Sequence, residues 1–360
     1  MRIPAIAVPL TLFLRLEMPM AQLRIRDIAE QAGVSPATVS RYLNNRPGQM
    51  TEATRARIAE VIERTGYRPR SAARNLRSTR SGLVGVVMAD VSNPYSSAML
   101  ECISDRAAER GYSIMTAFSG GRAESEASAL ERLIDGGVDG LIVNTCGGND
   151  GAVAAASGRV PTVLLDRPAE GVALDVVTSN NSELMVRLVA ELTGAGCRVL
   201  HLLTEEGDTS AVRRIRSRAF RDAAESASAE ASVLALSPDA SIAARQVDAC
   251  IAEAAGERLG LIAVNGLVFL RLIEALTQMG PLLPAGMALA TFDEYPWNRV
   301  LFGGVTTAAQ DTAEISRVVV DRLMRRIDVA LTAVGESARI DAATIEVPGW
   351  IESRATTSRC

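Results

Sequence analysis

Polar side chains suited to hydrogen bonding cluster on one short segment near the N-terminus. Residues 35–44 read SPATVSRYLN. Val39 and Leu43 are one helical turn apart, so they give a predicted helix an apolar side. The remaining faces carry the hydrogen-bonding side chains Thr38, Ser40, Arg41 and Asn44. Such groups bind a polar partner and need no cofactor, so the first chemistry that the sequence indicates is binding.

The elements that must position this segment follow from the flanking residues. Residues 24–32 have apolar residues at helical spacing, and Gly33 permits a tight turn. Ser35 is a suitable N-cap and Pro36 a suitable first helical residue for the second helix. Thr51 can cap a third helix over 51–65. Two short helices joined through a glycine turn place the second helix in a DNA major groove, although a plain three-helix bundle has the same pattern.

The charge distribution favours the DNA-binding interpretation. Residues 21–80 contain twelve arginines and five acids, a balance of +7, whereas residues 81–360 have a balance of −12. A basic end on an acidic chain is expected where one end meets phosphate. We call residues 21–66 the head and the acidic remainder from residue 81 the body.

A basic segment, YRPRSAARNLRSTR (67–80), joins the two. Ser71 can cap a helix over residues 72–77 that is too short to be stable alone in water. Leu76 is an apolar residue on a basic element, which suits a minor-groove helix with an apolar wedge between base pairs. A disordered basic linker is the alternative.

Short apolar runs alternate with amphipathic stretches throughout the body, which predicts doubly wound parallel sheets. The pattern restarts near residue 198, so we expect two similar α/β lobes facing a cleft that closes on a small molecule. The predicted strands are 83–89, 112–118, 140–144, 161–166, 176–179, 198–203, 231–236, 259–264 and 287–292.

The segments DIAEQAGVSPATVSRYLN and GYRPRSAARNLRS resemble the lac repressor/galactose repressor (LacI/GalR) family of bacterial regulators, and the match extends over nearly the whole chain from about residue 22. The resemblance implies an all-α helix-turn-helix domain followed by a two-lobed α/β body like periplasmic binding proteins. It implies base-reading positions at Pro36, Ala37 and Arg41, contacts to phosphate or base edges by Thr38, Ser40 and Asn44, and hinge contacts by Arg74 and the intercalating Leu76. Pro36 and Ala37 offer no side-chain hydrogen bonds, so Arg41 and DNA shape should carry more of the specificity.

By the same resemblance, the effector pocket is formed by Tyr95, Asp166, Arg216, Asn265, Asp293 and Gln310. Carboxylate and guanidinium groups suit sugar hydroxyls, and an aromatic face suits a sugar ring. The sequence departs from the family pattern at Gly266 (usually an acid), at Ala219 (usually Gly) and at 179–181 (usually containing Asp-Asn).

Two features bear on the effector. The run RRIRSR (213–218) lies beside a pocket position and is either a solvated helix face or a sign of an acidic ligand such as a sugar acid. The segment FDEYPWN…GGVTTAAQDT (292–312) resembles regulators of gluconate or ketodeoxygluconate use. A regulator signalled by a partner protein, with a degenerate pocket, is the alternative.

Enzyme chemistry has little support. His201 is the single histidine and lies in the apolar run RVLHLL, which indicates a core position; the five cysteines are scattered without a CxxC pair. There is no P-loop and no GxSxG motif, so we expect no catalysis, no metal and no cofactor. Residues 3–14 are apolar, but they contain two prolines and are too short to span a membrane. We therefore expect a cytoplasmic protein that does not bind a membrane, rather than a transport-type sugar-binding protein, with Met18 or Met20 as the initiator.

We expect a homodimer on a pseudo-palindromic operator, because a half-site reader gains from two-fold symmetry. The short polar end of the chain disfavours a coiled-coil tetramer. The expected boundaries are 1–20 for an extended or misassigned N-terminus, 21–66 for the helix-turn-helix domain, 67–80 for the hinge, 81–351 for effector binding and dimerisation, and 352–360 for a tail. Within the body we expect lobe 1 at about 81–178 and 310–336, and lobe 2 at about 179–309 and 337–351.

Overall fold

The computed structural model describes residues 23–43, 50–67, 80–206, 210–280, 283–332 and 340–358. The chain divides into two compact units, with the boundary between Thr79 and Arg80. The body therefore begins at Arg80. The predicted hinge contacts Arg74 and Leu76, and the predicted DNA contact Asn44, lie outside the described residues.

Three helices form the described part of the head: α1 (Ile25–Ala32), α2 (Pro36–Leu43) and α3 (Glu52–Thr65). Gly33 ends α1 with a φ of 63°, a left-handed conformation that glycine adopts without steric cost. Ile28, Val39 and Ile58, one from each helix, are fully buried against one another. The turn at Gly33 and the shared core together fix the orientation of α2, with the side of α2 opposite Val39 directed away from the core.

The predicted helix caps are confirmed. The Thr38 backbone N–H donates to Ser35 Oγ at 3.2 Å at the start of α2. The Thr54 backbone N–H donates to Thr51 Oγ1 at 3.3 Å at the start of α3. Each hydroxyl satisfies one of the amide groups that a helix leaves unpaired in its first turn.

Lobe 1 is built on a six-stranded parallel sheet. Its strands are β1 (Leu83–Met88), β2 (Ser113–Phe118), β3 (Gly140–Val143), β4 (Thr162–Leu165), β5 (Asp175–Ser179) and β11 (Thr344–Val347), in the order β11-β5-β4-β3-β1-β2. Its helices are α4 (Pro94–Glu109), α5 (Ala123–Asp135), α6 (Asp150–Ser157) and α11 (Thr312–Thr332). Successive residues of β1 pack on opposite faces of the sheet. Val84, Val86 and Met88 belong to the apolar cluster on one face, and Val87 belongs to the cluster on the other.

Lobe 2 repeats this architecture. Its strands are β6 (Val199–Thr204), β7 (Glu230–Ala235), β8 (Leu259–Ala263), β9 (Met287–Phe292), β10 (Thr306–Ala309) and β12 (Trp350–Glu352), in the order β12-β10-β9-β8-β6-β7. Among the strands described for this lobe, only β12 runs antiparallel to its neighbour. The helices are α7 (Asn181–Gly194), α8 (Ala211–Ser226), α9 (Ala240–Glu253) and α10 (Gly266–Met279). The nine predicted strands correspond to β1–β9 within one or two residues.

The expected assignment of residues 337–351 to lobe 2 is wrong for β11. This strand pairs with β5 in the lobe 1 sheet, with Thr344 opposite Val176 and Val347 opposite Ser179. It closes the edge that β5 would otherwise leave open. The chain crosses to lobe 2 only after Val347, and β12 then pairs with β10.

The expected C-terminal tail is bound to lobe 2 as far as Ser358. Thr356 Oγ1 donates to the Leu289 carbonyl at 2.7 Å and accepts from the Thr306 backbone N–H at 2.9 Å. Arg354 forms a two-pronged ion pair with Glu294 at 2.7 and 2.9 Å. This segment therefore supports β9, β10 and the loop that follows Asp293.

Candidate functional site

In the head, α2 presents the side chains that the sequence singled out. Val39 is buried, whereas Pro36, Ala37 and Arg41 are exposed and Thr38 and Ser40 are half-buried. The exposed residues lie on the side of α2 that faces away from the three-helix core. This arrangement leaves Arg41 accessible to a bound molecule.

A concave surface on the head brings together the starts of two helices. Its volume is about 320 Å³, and it is lined by Val34, Ser35, Thr38, Arg41, Met50, Thr51 and Thr54. In each helix the cap hydroxyl contacts a second hydroxyl one turn later, at 2.9 Å for Ser35–Thr38 and 2.9 Å for Thr51–Thr54. The sequence predicts Ser35 and Thr51 as helix caps only. In both helices a second hydroxyl follows the cap three residues later, and this repeated spacing was the sequence signal for a shared polar surface.

In the body, a cavity between the lobes brings all six predicted pocket residues together. It is lined by Asp90, Asn93, Tyr95, Ser96, Asn144, Asp166, Arg167, Ser210, Val212, Arg213, Arg216, Asn265, Asp293 and Gln310. Many of these residues follow the carboxyl ends of strands, where parallel α/β sheets hold their ligands. The cavity volume is about 30 Å³, which accommodates a water molecule but no sugar.

Arg216, on α8, is a buried cation in the cavity wall. Its Nε donates to Asn181 Oδ1 at 2.8 Å, and its Nη1 donates to the Val264 carbonyl at 2.7 Å. Its guanidinium carbon lies 3.8 Å from the centre of the Phe292 ring, a cation–π contact. Burial lowers the pKa of this guanidinium, but arginine still stays protonated in proteins. The result is a planar charge held in one orientation.

Asp293 provides the buried acid beside it. Its Oδ1 accepts from Gln310 Nε2 at 2.6 Å, and its Oδ2 accepts from the Gly266 backbone N–H at 3.2 Å. Burial raises the pKa of this carboxyl. Asp293 has a φ of 71°, and Asp166 has a φ of 66°. Non-glycine residues seldom adopt this conformation and often do so at functional sites.

Among the six predicted pocket residues, three buried polar atoms have no hydrogen-bond partner within the described part of the chain. They are Tyr95 Oη, Asp166 Oδ1 and Gln310 Oε1. The phenol can donate, whereas the carboxylate and amide oxygens accept. Buried polar groups in folded proteins are almost always paired, so these atoms indicate where a polar ligand would bind.

Asn265 connects the cavity to a charged pair formed by Glu205, which follows β6, and Arg213 on α8. Its Oδ1 accepts from the Val268 backbone N–H at 2.8 Å and so caps α10, while its Nδ2 donates to Glu205 at 2.9 Å. Glu205 also pairs with Arg213 at 3.0 Å. Of the run RRIRSR, only Arg213 and Arg216 line the cavity, and Arg218 is exposed.

Two of the three departures from the family pattern, at Gly266 and at 179–181, have structural explanations. A Cβ at Gly266 would lie 2.6 Å from Tyr295 Cε2, so the buried tyrosine ring occupies the space of a side chain there. Tyr295 in turn stacks on Trp297 at 4.7 Å. Asn181, within the altered 179–181 segment, accepts from Arg216. Gly266 thus leaves room for the Tyr295 ring, and Asn181 helps to orient Arg216.

Several lining residues, including Asn144 and Arg167, were not predicted from the sequence. Asn144 follows β3 directly, and its Nδ2 donates to the Leu165 carbonyl at 3.1 Å. Arg167 Nη1 donates to the Thr145 carbonyl at 3.0 Å. A polar residue at the end of an apolar run was the available signal for Asn144, and the position directly after Asp166 was the signal for Arg167.

Other kinds of site find no support in the described ranges. No cluster of three or more His, Cys, Asp or Glu side chains there could hold a metal ion. None of the described helices is both long and apolar enough to cross a membrane. His201 is buried, as its apolar surroundings predicted, and its Nδ1 lies 2.5 Å from Ser232 Oγ.

Comparison with known proteins agrees with both units. Residues 24–70 match the family described as "Bacterial regulatory proteins, lacI family", and residues 84–328 match "Periplasmic binding protein domain". The transcriptional regulator PtxS of Pseudomonas plecoglossicida is 32% identical over 313 residues, which cover 87% of this chain and 91% of the relative. The ribose operon repressor of Halalkalibacterium halodurans is 28% identical over 336 residues, which cover 92% of this chain and 96% of the relative.

A solved structure supports the fold. The lac repressor dimer bound to operator and an anti-inducer matches with a TM-score of 0.78 at 22% identity, over 93% of this chain and 99% of that chain. The predicted fold class, a helix-turn-helix domain followed by a two-lobed body of doubly wound parallel sheets, is confirmed. The chain belongs to the lacI family of bacterial regulatory proteins and is a DNA-binding transcriptional regulator.

Proposed function

We propose that the protein is a repressor whose operator affinity is controlled by a small polyhydroxylated effector, a sugar or sugar acid, bound between the lobes. The observation that carries this proposal is the set of three buried, unpartnered atoms, Tyr95 Oη, Asp166 Oδ1 and Gln310 Oε1. Two acceptors and one hydroxyl in one cavity match a ligand with several hydroxyl groups. The similarity to a ribose operon repressor supports both the repressor role and the sugar class.

Each proposed effector residue has a defined part. Arg216 and Asp293 provide a fixed donor and a fixed acceptor on the lobe 2 side, and Asn265 aligns the start of α10. Tyr95 and Asp166 approach from lobe 1. The lining contains three arginines and three aspartates, so its charge is balanced and it suits neutral sugars and sugar acids alike.

The small cavity gives the effector a way to act at a distance. A sugar cannot enter about 30 Å³ unless the lobes move apart or the lining side chains rearrange. A ligand that favours one lobe arrangement shifts operator affinity by its difference in affinity for the two arrangements. We propose that effector binding releases the operator.

On the DNA side, α2 is the proposed recognition helix. Arg41 is exposed on it and can donate two hydrogen bonds to a guanine. The paired hydroxyls of Ser35, Thr38, Thr51 and Thr54 are proposed to hold backbone phosphate at the starts of α2 and α3. Asn44, Arg74 and Leu76 remain predicted contacts, and a cytoplasmic homodimer on a pseudo-palindromic operator remains the proposed working form.

Calorimetry tests the effector class. Matched pairs, D-glucose with D-gluconate and D-galactose with D-galactonate, are titrated into the wild-type protein and an Asp166→Asn variant. Asp222→Asn, at an exposed position on α8, is the control. We expect at least one compound to bind, Asp166→Asn to weaken it about tenfold, and the control to leave it unchanged. Binding of neutral sugars alone would eliminate the sugar acid, and binding that survives Asp166→Asn would contradict the proposed site.

A further inference from the structure

One helix connects the cavity with the first residue of the body. The Thr312 backbone N–H donates to the Gln310 carbonyl at 2.9 Å at the start of α11, and Gln310 itself reaches Asp293. The helix has 21 residues, so it is about 30 Å long. Asp328 lies near its other end.

Arg80, where the body begins, is attached to that far end. Its Nη2 donates to Asp328 Oδ1 at 2.5 Å. The next two backbone N–H groups, of Ser81 and Gly82, donate to the two carboxylate oxygens of Asp139 at 2.8 Å each. The first three residues of the body are therefore held by α11 and by the start of β3.

We propose that the Arg80–Asp328 ion pair is a positioning contact for operator binding. It fixes the point at which the DNA-binding end of the chain joins the body, and it attaches that point to α11, whose opposite end begins at Thr312 and is bonded to the Gln310 carbonyl. The inference rests on the proposed operator regulation and deepens it, because it names the contact through which α11 acts.

A role in stability alone does not account for this pair. The side chains of Arg80 and Asp328 are 41% and 61% exposed, and exposed ion pairs contribute little to folding stability. A simple charge effect has the opposite sign, because removing a carboxylate strengthens the attraction of a protein for DNA. Weaker operator binding by an Asp328→Asn variant would therefore indicate positioning.

The same helix contains a matched control. Asp321 lies seven residues earlier on α11, about two turns away and on the same side, and it pairs with Arg110. Its side chain and that of Arg110 are 33% and 53% exposed. Asp321→Asn therefore makes the same change in charge, on the same helix, without contact to Arg80.

The experiment measures operator affinity by fluorescence anisotropy for full-length wild type, Asp328→Asn, Asp328→Glu and Asp321→Asn. The operator is the sequence that the wild-type protein selects from a random DNA library. We expect Asp328→Asn to weaken binding about three- to tenfold, and Asp328→Glu and Asp321→Asn to stay within about twofold of wild type. Thermal unfolding should be similar for all four proteins.

Tighter or unchanged binding by Asp328→Asn, or equal weakening by Asp321→Asn, would overturn the inference. A wild-type protein that selects no DNA sequence would instead overturn operator regulation itself. The experiment uses no effector, so its result stays valid even if the proposed sugar or sugar-acid effector is wrong.

Discussion

The head and the interlobe cavity place their polar side chains in opposite environments. On the head, Arg41 is exposed on a single short helix, and the hydroxyls around it come from two helix starts. In the cavity, Arg216 and Asp293 are each 4% exposed and come from elements far apart in sequence. Replacing an exposed side chain of the head such as Arg41 should therefore leave its fold intact. The buried cavity residues, in contrast, both form the proposed binding site and stabilise the body.

This contrast predicts how substitutions divide between function and stability. Exposed polar groups interact mainly with solvent in the free protein, so their removal should lower the affinity for a partner and leave stability nearly unchanged. Buried charges already interact with other groups of the protein, so their removal should also lower the free energy of unfolding.

Arg216→Met should have the largest effect on stability. The change keeps the volume of the side chain but leaves Asn181 Oδ1, the Val264 carbonyl and the Asp293 carboxylate without their cation. We expect the body to lose about 3 kcal/mol of unfolding free energy, measured by urea unfolding, together with effector binding. Arg218→Met, on the exposed side of α8, should change stability by less than about 0.5 kcal/mol. Equal effects would contradict the assignment of Arg216 as a buried, structural cation.

Asp175 should make the stability of lobe 1 sensitive to acid. Its carboxylate is buried and accepts from Arg322 at 2.7 and 3.0 Å and from Arg326 at 2.7 Å. Although burial alone would raise it, hydrogen bonds from the two arginines hold the pKa of Asp175 at about 2, below its ordinary 3.8. Because the folded-state pKa is the lower one, the stabilisation is complete above about pH 4 and is lost as the pH falls to about 2.

The lowered pKa corresponds to about 2 kcal/mol. Urea unfolding of wild type and Asp175→Asn at pH 7 and pH 3 measures it. The variant should be less stable at pH 7 and should show a flatter dependence on pH. A variant with the same pH dependence as wild type would show that other carboxylates govern acid unfolding.

Thr51→Ala tests the head with a smaller change. Loss of the cap at the start of α3 should cost about 1 kcal/mol of stability. If this hydroxyl also binds phosphate, operator affinity should fall more than the lost stability explains, whereas Thr277→Ala, at an exposed position on α10, should leave operator affinity unchanged. Operator titrations at several salt concentrations measure the difference.

Tyr95→Phe should have the smallest effect on folding. Its hydroxyl is buried without a partner in the described structure, so removing it should leave stability within about 0.5 kcal/mol or raise it slightly. Effector affinity should nevertheless fall, as calorimetry would show. A clear loss of stability would mean that the hydroxyl already has a partner within the protein.

The same contrast explains what the sequence could predict. Helix caps such as Thr51 and buried strands such as β8 depend on local patterns, so they were predicted closely. The strands β10, β11 and β12 lack apolar runs like those of β1 and β8, and the pairing of β11 with β5 depends on residues far away in sequence. Asn144 and Arg167 follow the ends of β3 and β4, which was a local signal, but their enclosure in a cavity depends on residues of lobe 2, which no local pattern encodes.

Operator affinity measured with and without a compound that binds the cavity tests the central claim most directly. For wild type, we expect a saturating compound from the calorimetric panel to change the operator Kd at least about fivefold. For Asp166→Asn, the same concentration should change it much less. A compound that binds the wild-type protein without changing its operator Kd would contradict the account.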